Sequence, residues 1–380
     1  MPEQSKNSPW SSGLLFLIVV VGFAARLLMA ARGHNYDFES YKIVSGIVDQ
    51  GGNVYASTDR YNYGPVWFNI LHLFQLLAGR NETVFRYLIP GFLSLVDVGI
   101  FLVLWRRYGK ASAAYFFLNP ISIIITGYHS QFDNLAVLTG LWSVLLMKDE
   151  FDQPVDRRKF WGLVVLGLSL TIKHVLFAFP FWLAVKQKGL RQKLVVIFVP
   201  VCIFALSFAP YWHAGSEGII QNVFRYKSAH HDHFCFYRMF VPAFIQTMFG
   251  SQTVWLFLLA LFAFVYKQKK VVESLLFYTC VLVATAPATT NQYLAIPVPF
   301  TVTNVNPFTI MYTATGFFHL LIDYDGLHLT GPILGNLRAN PDVPIFMLCF
   351  GLVWATWREF LIASLRSCIS EVKSQFVCEK

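Results

Sequence analysis

Apolar stretches long enough to cross a membrane alternate with short clusters of Lys and Arg along the whole chain. Hydrophobic residues make up 56% of the sequence and charged residues 13%. Soluble domains average about 25% charged residues, so a soluble globular protein is a poor fit. Runs of this length and composition are typical of transmembrane helices. The sequence therefore predicts an all-α polytopic membrane protein.

The basic clusters give the orientation, because Lys and Arg concentrate in cytoplasmic loops. They lie at residues 106–110, 148–159, 186–193 and 267–270 and in the tail after Arg358. With all of these clusters in the cytoplasm, both termini are cytoplasmic and about 11–13 helices cross the membrane. We predict one integral membrane domain, divided into a first helix (13–31), a first outer loop (32–84), helices joined by polar turns (85–210), a second outer loop (211–250), and C-terminal helices with a cytoplasmic tail (251–380).

Helix positions follow from the apolar runs, and several of the predicted helices are shorter than the roughly 20 residues that a bilayer requires. They lie near 85–105, 111–128, 134–147, 160–172, 174–186, 192–210, 252–266, 271–287, 293–304, 305–321 and 343–362. Residues 64–77 are apolar but begin with Gly-Pro, and counting them as a span would place the cluster at 106–110 outside. We therefore predict that this segment is a helix on the outer membrane surface.

Charge and cysteine usage exclude several other classes. The net charge of +9 comes from short clusters between apolar runs, which indicates membrane topology and contact with membrane lipids rather than a nucleic-acid partner. The six cysteines are scattered without a C-x-x-C pair, so neither a disulfide framework nor a zinc site is predicted. The first apolar run is longer than the core of a signal peptide and is predicted to remain as a helix.

With this orientation, polar side chains gather on the outer side of the membrane. Acids in the first loop and cations in later turns would meet there, which suits a substrate with a hydroxyl to activate and a phosphate to hold. We predict Asp37 and Glu39 as catalytic residues. The predicted substrate-binding residues are Tyr63, His129, Gln131, Asp133, Asn134, Lys173, His174, Arg225, Lys227, Arg238, Gln292 and Tyr293.

Each of these features also has a simpler interpretation. An Asp-x-Glu pair in a loop is usually solvated, and Lys173 at a helix end is typical of a membrane anchor. Within the spans, Arg26 would extend to the interface or pair, and Asp97 would hydrogen-bond neighbouring helices. The His-His-Asp-His run at 230–233 lacks the spacing that places metal ligands on one face, so a metal site is not favoured.

Four short motifs occur in an order that resembles the GT-C glycosyltransferases. They are Asp-Phe-Glu at 37–39, Asn-Tyr-Gly-Pro at 62–65, His-Ser-Gln-Phe-Asp at 129–133 followed by Asn134, and Ile-Lys-His at 172–174 with Pro180. The nearest likeness is to the dolichyl-phosphate-glucose-dependent glucosyltransferases that build the asparagine-glycan precursor. The G-x-x-Y and Y-x-Y-x-P spacing of the first loop is similar to the mannosyltransferase of GPI-anchor assembly. Asn62 and Gly64 depart from the family's Asp and Pro, which leaves the sugar and the acceptor open.

The resemblance implies a GT-C type helix bundle with surface helices in its long first outer loop. It also implies an inverting transfer of a hexose, glucose or mannose, from a polyprenyl or dolichyl phosphate to a hydroxyl of a lipid-linked glycan or other acceptor. The reaction would occur on the periplasmic face of a bacterial inner membrane or the luminal face of the endoplasmic reticulum. Asp37 would be the general base, and Lys173 ranks first for holding the phosphate.

No cofactor is required by this interpretation. If the segment is extended, Asp37 and Glu39 point the same way and would share a divalent cation, which is not favoured because two carboxylates alone make a poor magnesium site. The main alternative is a polytopic transporter or flippase for a lipid-linked or phosphorylated substrate, although no internal repeat is visible. A membrane phosphatase or acyltransferase is a third option, for which a convincing nucleophile is lacking.

Overall fold

The computed structural model describes residues 12–147, 155–226, 241–329 and 340–358, and these residues form helices and loops without a strand. The helices are α1 (Ser12–Arg32), α2 (Tyr36–Asp49), α3 (Val54–Ser57), α4 (Pro65–Leu77), α5 (Glu82–Tyr108), α6 (Lys110–Phe117), α7 (Pro120–Gly127), α8 (Asp133–Met147), α9 (Arg157–Ile172), α10 (Phe179–Ala184), α11 (Leu190–Ser207), α12 (Trp212–Gly218), α13 (Ala243–Phe249), α14 (Ser251–Val265), α15 (Val271–Ala284), α16 (Val298–Thr303), α17 (Pro307–Ile322) and α18 (342–358). Short 3₁₀ turns lie at His174–Leu176, Ala209–Tyr211 and Asn291–Ala295, and a π-helical turn lies at Ile219–Phe224.

Three helical segments among the described residues are long and apolar enough to cross a membrane: Gly13–Arg32, Glu82–Tyr108 and Leu190–Phe224. A fourth is present if α13 and α14, which meet at an angle of 103°, count as one broken span. These helices agree with the predicted α-helical membrane class. The predicted number of passes and their direction stay predictions.

Several predicted helices are broken in the structure. The helix predicted at 111–128 is divided into α6 and α7 at Asn119, whose side chain caps α7 by accepting from Ile121 N at 3.1 Å. Pro120 then begins α7, where its missing N–H leaves no intrahelical bond unmade. The segments predicted as helices at 174–186 and 293–304 each consist of a 3₁₀ turn followed by a six-residue helix.

The segment predicted as the second outer loop begins with helical structure. Helical turns continue after α11 through α12 to Phe224, so the stretch from Tyr211 to Phe224 is helical rather than a loop. Apolar residues continue past the predicted end of this helix, which explains why the helix extends further.

An ion pair inside the bundle connects the first helices. Arg26 Nε lies 2.9 Å from Asp97 Oδ2, and both side chains are fully buried. The other guanidinium nitrogens donate to the carbonyl of Phe117 at 2.8 Å and to Ser122 Oγ at 2.9 Å. Arg26 is therefore paired rather than extended to the interface, and Asp97 links α1, α5 and α7.

The segment predicted as the first outer loop folds into α2, α3 and α4, of which α4 packs on α5 and α9, and aromatic side chains hold α2 and α4 against the turn that precedes α8. Trp67 of α4 stacks on Phe132 with 4.3 Å between ring centroids, and Tyr41 of α2 meets the edge of Trp67 at 5.7 Å. The predicted helix at 64–77 is present as α4, with Leu73, Leu76 and Leu77 exposed on its other side. Its position on the membrane surface stays a prediction.

Candidate functional site

Lys173 is buried at the end of α9, not placed at a membrane surface. The helix ends at Ile172, and the extended backbone of Lys173 turns its side chain into the protein, where the residue is 4% exposed. Its Nζ donates to Asp133 Oδ2 at 2.7 Å and to Gln131 Oε1 at 3.4 Å. The interpretation of Lys173 as a membrane anchor is therefore wrong for this structure.

Two aromatic rings complete the surroundings of this cation. The Nζ atom lies 4.9 Å from the ring centroid of Tyr63 and 4.7 Å from that of Phe132. Cations are stabilised over aromatic faces at such distances, more strongly where water is excluded. The ammonium group has three hydrogens, and two of them are directed at Asp133 and Gln131. A third N–H can therefore serve an anionic ligand.

Asp37 lies in the first turn of α2, held by its neighbours. Asn35 caps this helix by accepting from Asp37 N at 3.2 Å, and the Asn35 amide donates to Asp37 Oδ2 at 3.1 Å. Gln131 Nε2 donates to the same oxygen. Because both side-chain donors reach Oδ2, Oδ1 accepts no hydrogen bond from the described part of the chain.

Gln131 joins the acidic and the basic residue. Its amide nitrogen contacts Asp37 and its amide oxygen contacts Lys173, so the two ends of one side chain hold a carboxylate and an ammonium group. The left-handed backbone of Ser130 (φ 54°) immediately precedes it in the turn between α7 and α8. The structure thus brings together four of the predicted residues: Asp37, Gln131, Asp133 and Lys173.

Glu39 lies apart from Asp37, because the segment is helical and not extended as the sequence analysis assumed. Two residues along a helix turn the side chain by roughly 200°. Glu39 forms an ion pair with Lys42 at 2.9 Å, and Lys42 also contacts Glu82 at 3.0 Å. This pair is partly exposed. A cation shared by Asp37 and Glu39 has no geometric basis here, and no group of three or more His, Cys, Asp or Glu side chains suited to a metal occurs among the described residues.

The residues of the 129–134 turn divide between two networks. His129 Nδ1 lies 3.0 Å from the Asn35 amide nitrogen, which must donate, so the proton of the ring is on Nε2. Burial lowers the pKa of His129 to about 3, so the ring is neutral. Asn134 instead donates to Asp97 Oδ1 at 2.7 Å. The structure therefore places Asn134 in the interhelical network and not beside Asp37.

A cavity of about 950 Å³ begins at Lys173 and extends between the 174–176 turn, the bent pair α13 and α14, and α15. Polar residues line one end of it: Asn62, Tyr63, Lys173, His174, Thr290, Gln292 and Tyr293. The remaining lining is mixed: it includes the apolar Phe177, Phe249, Trp255, Leu256 and Leu282 and the polar Gln246, Ser251, Gln252 and Thr253. Burial, with a smaller effect of Lys173, lowers the pKa of His174 to about 4. The cavity thus offers a polar end with one buried cation and large apolar side chains in the mixed remainder.

The other predicted cations are not part of this arrangement as described. Arg225 is exposed at the end of the helical turns that follow α12 and does not line the cavity, although Tyr226 does. Lys227, Arg238 and the histidine-rich run at 230–233 lie outside the described residues.

Sequence reasoning missed a group at the C-terminal end of α17. His319, Asp323 and Asp325 lie near Asn35 and His129 in the structure. The signal was an Asp-x-Asp-Gly stretch directly after an apolar run, which parallels the position of Asp37 after the first helix. Comparison with protein-family models, with curated proteins and with solved structures gave no match.

Proposed function

We propose that this protein is a membrane glycosyltransferase of the GT-C type, which moves a hexose from a polyprenyl-phosphate carrier to an acceptor hydroxyl with inversion at C1. One observation carries the proposal. A partly exposed carboxylate, Asp37, is joined through Gln131 to a buried ammonium group, Lys173, at the polar end of a partly apolar cavity. A general base and a phosphate-binding cation are the two groups that this reaction needs.

The cavity suits a lipid-linked sugar donor. A polyprenyl chain is apolar along its length and ends in a charged phosphate, and the cavity offers the apolar side chains of Phe177, Trp255 and Leu256 as well as the cation of Lys173. The leaving phosphate develops charge as the C1–O bond breaks. A fixed cation in a water-poor site stabilises such charge more strongly than it would in water.

Asp37 has the geometry of a general base. Its Oδ2 atom is held by Asn35 and Gln131, and the other oxygen is available to the hydroxyl proton of an acceptor. An alcohol is a weak nucleophile near neutral pH, and a positioned base typically contributes about 10²–10⁴-fold to the rate. In this scheme the acceptor oxygen bonds to C1, its proton passes to Asp37, and the lipid phosphate leaves with the electrons of the C1–O bond.

The proposal includes a bundle of about 11–13 transmembrane helices with both termini in the cytoplasm. The site would then face the periplasm or the lumen of the endoplasmic reticulum. The partners are the lipid-phosphate sugar donor, a lipid-linked glycan or other acceptor, and membrane lipids, with no cofactor. Labelling of single cysteines introduced at Ser57 and Ser228 tests this orientation, and reaction from the cytoplasmic side alone would refute it.

A transporter or flippase remains the second candidate, because the chain has the broken helices that transporters often use. The breaks at Asn119, at the 174–176 turn and at the 291–295 turn lie in apolar segments. The two functions differ in what leaves the protein. A transferase releases free polyprenyl phosphate, whereas a transporter moves its substrate unchanged.

The deciding experiment uses the full chain in lipid nanodiscs with polyprenyl-phosphate glucose and polyprenyl-phosphate mannose, tested separately. We expect release of polyprenyl phosphate from one donor in the presence of membrane-extracted acceptor lipids. Lys173→Ala should lose at least tenfold in donor affinity or turnover, because the ammonium group that meets the phosphate is removed. Glu39→Gln is the matched control, since its partner is the surface residue Lys42. Intact donor lipid with both sugars would refute transfer.

A further inference from the structure

A second group of polar side chains lies at the C-terminal end of α17 and at the 291–295 turn. His319 Nε2 lies 2.7 Å from Asn291 Oδ1, and Asn291 Nδ2 donates to Asp323 Oδ2 at 2.7 Å. The backbone N–H of Asp325 donates to the same carboxylate oxygen at 3.0 Å. Because the Asn291 nitrogen must face the carboxylate, its oxygen faces His319. The proton of His319 is therefore on Nε2, and Nδ1 is an acceptor.

Two buried imidazole atoms in this region have no hydrogen-bond partner among the described residues. They are His129 Nε2, which carries a proton and donates, and His319 Nδ1, which accepts. His129 is 1% exposed and His319 is 4% exposed. A buried polar atom without a partner destabilises the folded protein, so such atoms point to a ligand or to ordered water.

The same residues lie close to the proposed base. His129 lies within the range of electrostatic interaction with His319 and Asp323. The Asp325 carboxylate lies within the same range of Asp37. Asn35 connects the two groups, because its amide nitrogen contacts both His129 Nδ1 and Asp37 Oδ2.

Asp37 consequently lies between the cavity and the group of residues around His319. Gln131 and Lys173 separate it from the cavity, of which Asp37 itself is not a lining residue. Asn35 and His129 separate it from the group around His319. A base placed between two sites can serve a sugar donor on one side and an acceptor on the other.

The side chains around His319 favour one chemical class of ligand. A hydroxyl group can accept from His129 Nε2–H and donate to His319 Nδ1 or to the carboxylates of Asp323 and Asp325. A phosphate has only acceptors in its dianionic form and would be repelled by the two carboxylates. A cation would meet the proton of His129. An uncharged ligand with several hydroxyl groups satisfies every one of these atoms.

We propose that His129, Asn291, His319, Asp323 and Asp325 form an acceptor subsite that binds the saccharide part of the acceptor and presents one of its hydroxyl groups to Asp37. The assignment rests on the proposed glycosyl transfer for the role of the ligand, but the binding of a saccharide is testable without it.

The test measures binding by saturation-transfer NMR on the full chain in nanodiscs prepared without glycoside detergents. The probes are methyl α-D-mannopyranoside and methyl β-D-glucopyranoside, used separately. We expect saturation transfer to at least one of them, and a loss of at least fivefold in His319→Phe and in the isosteric Asp323→Asn. Lys173→Ala should keep the signal, because Lys173 is on the other side of Gln131.

His328→Asn is the matched control. His328 is an exposed histidine in the same loop, and its left-handed backbone (φ 46°) is one that Asn adopts readily. Each variant is first checked for an intact fold by thermal unfolding followed by Trp fluorescence, because Lys173→Ala is itself expected to weaken donor binding. The control should retain both the saccharide signal and donor binding.

The outcomes separate this assignment from the proposed function. Donor binding without saccharide binding by the parent protein, or equal saccharide signals in all folded variants, would overturn the acceptor subsite. Binding of Mn²⁺ that Asp323→Asn abolishes, in the absence of a saccharide signal, would also overturn it in favour of a cation site. Saccharide binding that depends on His319, with no transfer from either donor lipid, would support the subsite and refute the transferase.

Discussion

Replacement of Asp37 by Asn separates the role of this residue in chemistry from its role in the fold. The amide oxygen of Asn can take the position of Oδ2 and accept from Asn35 and Gln131 as the carboxylate does. The amide nitrogen then occupies the position of Oδ1, where no described residue donates or accepts. The substitution therefore preserves the hydrogen bonds of α2 and removes the basic oxygen.

The expected loss follows from the task of a general base. Positioned bases typically contribute about 10²–10⁴-fold, which corresponds to about 3–5 kcal/mol of transition-state stabilisation. We expect Asp37→Asn to lower kcat by this factor. The affinity for the sugar donor should change less than threefold, because Lys173 and the cavity are untouched.

The assay compares transfer rate and donor binding in the same nanodisc preparation. Thermal unfolding of parent and variant, followed by Trp fluorescence, controls for folding. A folded Asp37→Asn protein that transfers sugar within tenfold of the parent would refute the assignment. The base would then lie elsewhere, and Asp133, whose Oδ1 is buried without a protein partner, would be the next candidate.

Two further predictions concern stability. Asp97→Leu should lower the free energy of unfolding by about 3–5 kcal/mol, because it leaves the buried charge of Arg26 without its partner. The loss is measured as a fall in thermal stability in nanodiscs. The double variant Arg26→Met with Asp97→Leu should recover much of the loss, and equal instability of the single and double variants would contradict this account. Stability should also fall as the pH drops below about 6.5. Burial holds the pKa of His129 at about 3 and that of His174 at about 4 in the folded protein, whereas the same imidazoles take up protons near their ordinary pKa in the unfolded chain. A thermal unfolding temperature that does not change between pH 7.5 and pH 5 would count against neutral buried imidazoles.

The sequence was informative about the site wherever a residue's position in the chain limited its environment. Gln131 and Asp133 lie in a turn between two apolar runs, and Lys173 lies at the end of another, so turns at the same end of a bundle bring them together. The sequence alone did not show which side chain each of these residues contacts. Whether Lys173 pairs with Asp133 or reaches the lipid interface depends on a single backbone change, from helical to extended, at the end of α9.

The catalytic role of Glu39 stays a prediction, but the direction of its side chain depends on the start of α2 being helical rather than extended. The sequence Asn-Tyr-Asp-Phe-Glu has an Asn cap and acids in the first turn, which are signals of a helix N-terminus. That pattern predicts a turn of roughly 200° between the two acids. The hydrogen bond of Asn134 could not be predicted for another reason. Its partner Asp97 is 37 residues away along the chain, and such pairing comes from helix packing that local patterns do not contain.

Gly64 explains one departure of this chain from the motif it resembles, and the explanation is testable. Its backbone angles (φ −71°, ψ 166°) are open to other residues, including proline, so glycine is not needed for conformation. It is needed for space, because a Cβ at this position would lie 2.1 Å from the carbonyl oxygen of Thr171, two residues before Lys173. Gly64→Ala must push the loop away from α9 and carry Tyr63 from its place over the ammonium group.

Overpacking of this kind typically costs about 1–3 kcal/mol. We therefore expect Gly64→Ala to lower thermal stability and to weaken binding of the polyprenyl-phosphate sugar by at least fivefold. Gly46→Ala is the matched control, since nothing lies within 4 Å of the added methyl group and α2 should gain slightly from alanine. If Gly64→Ala binds the donor as the parent does, the contact between the first outer loop and the end of α9 does not shape the phosphate end of the cavity.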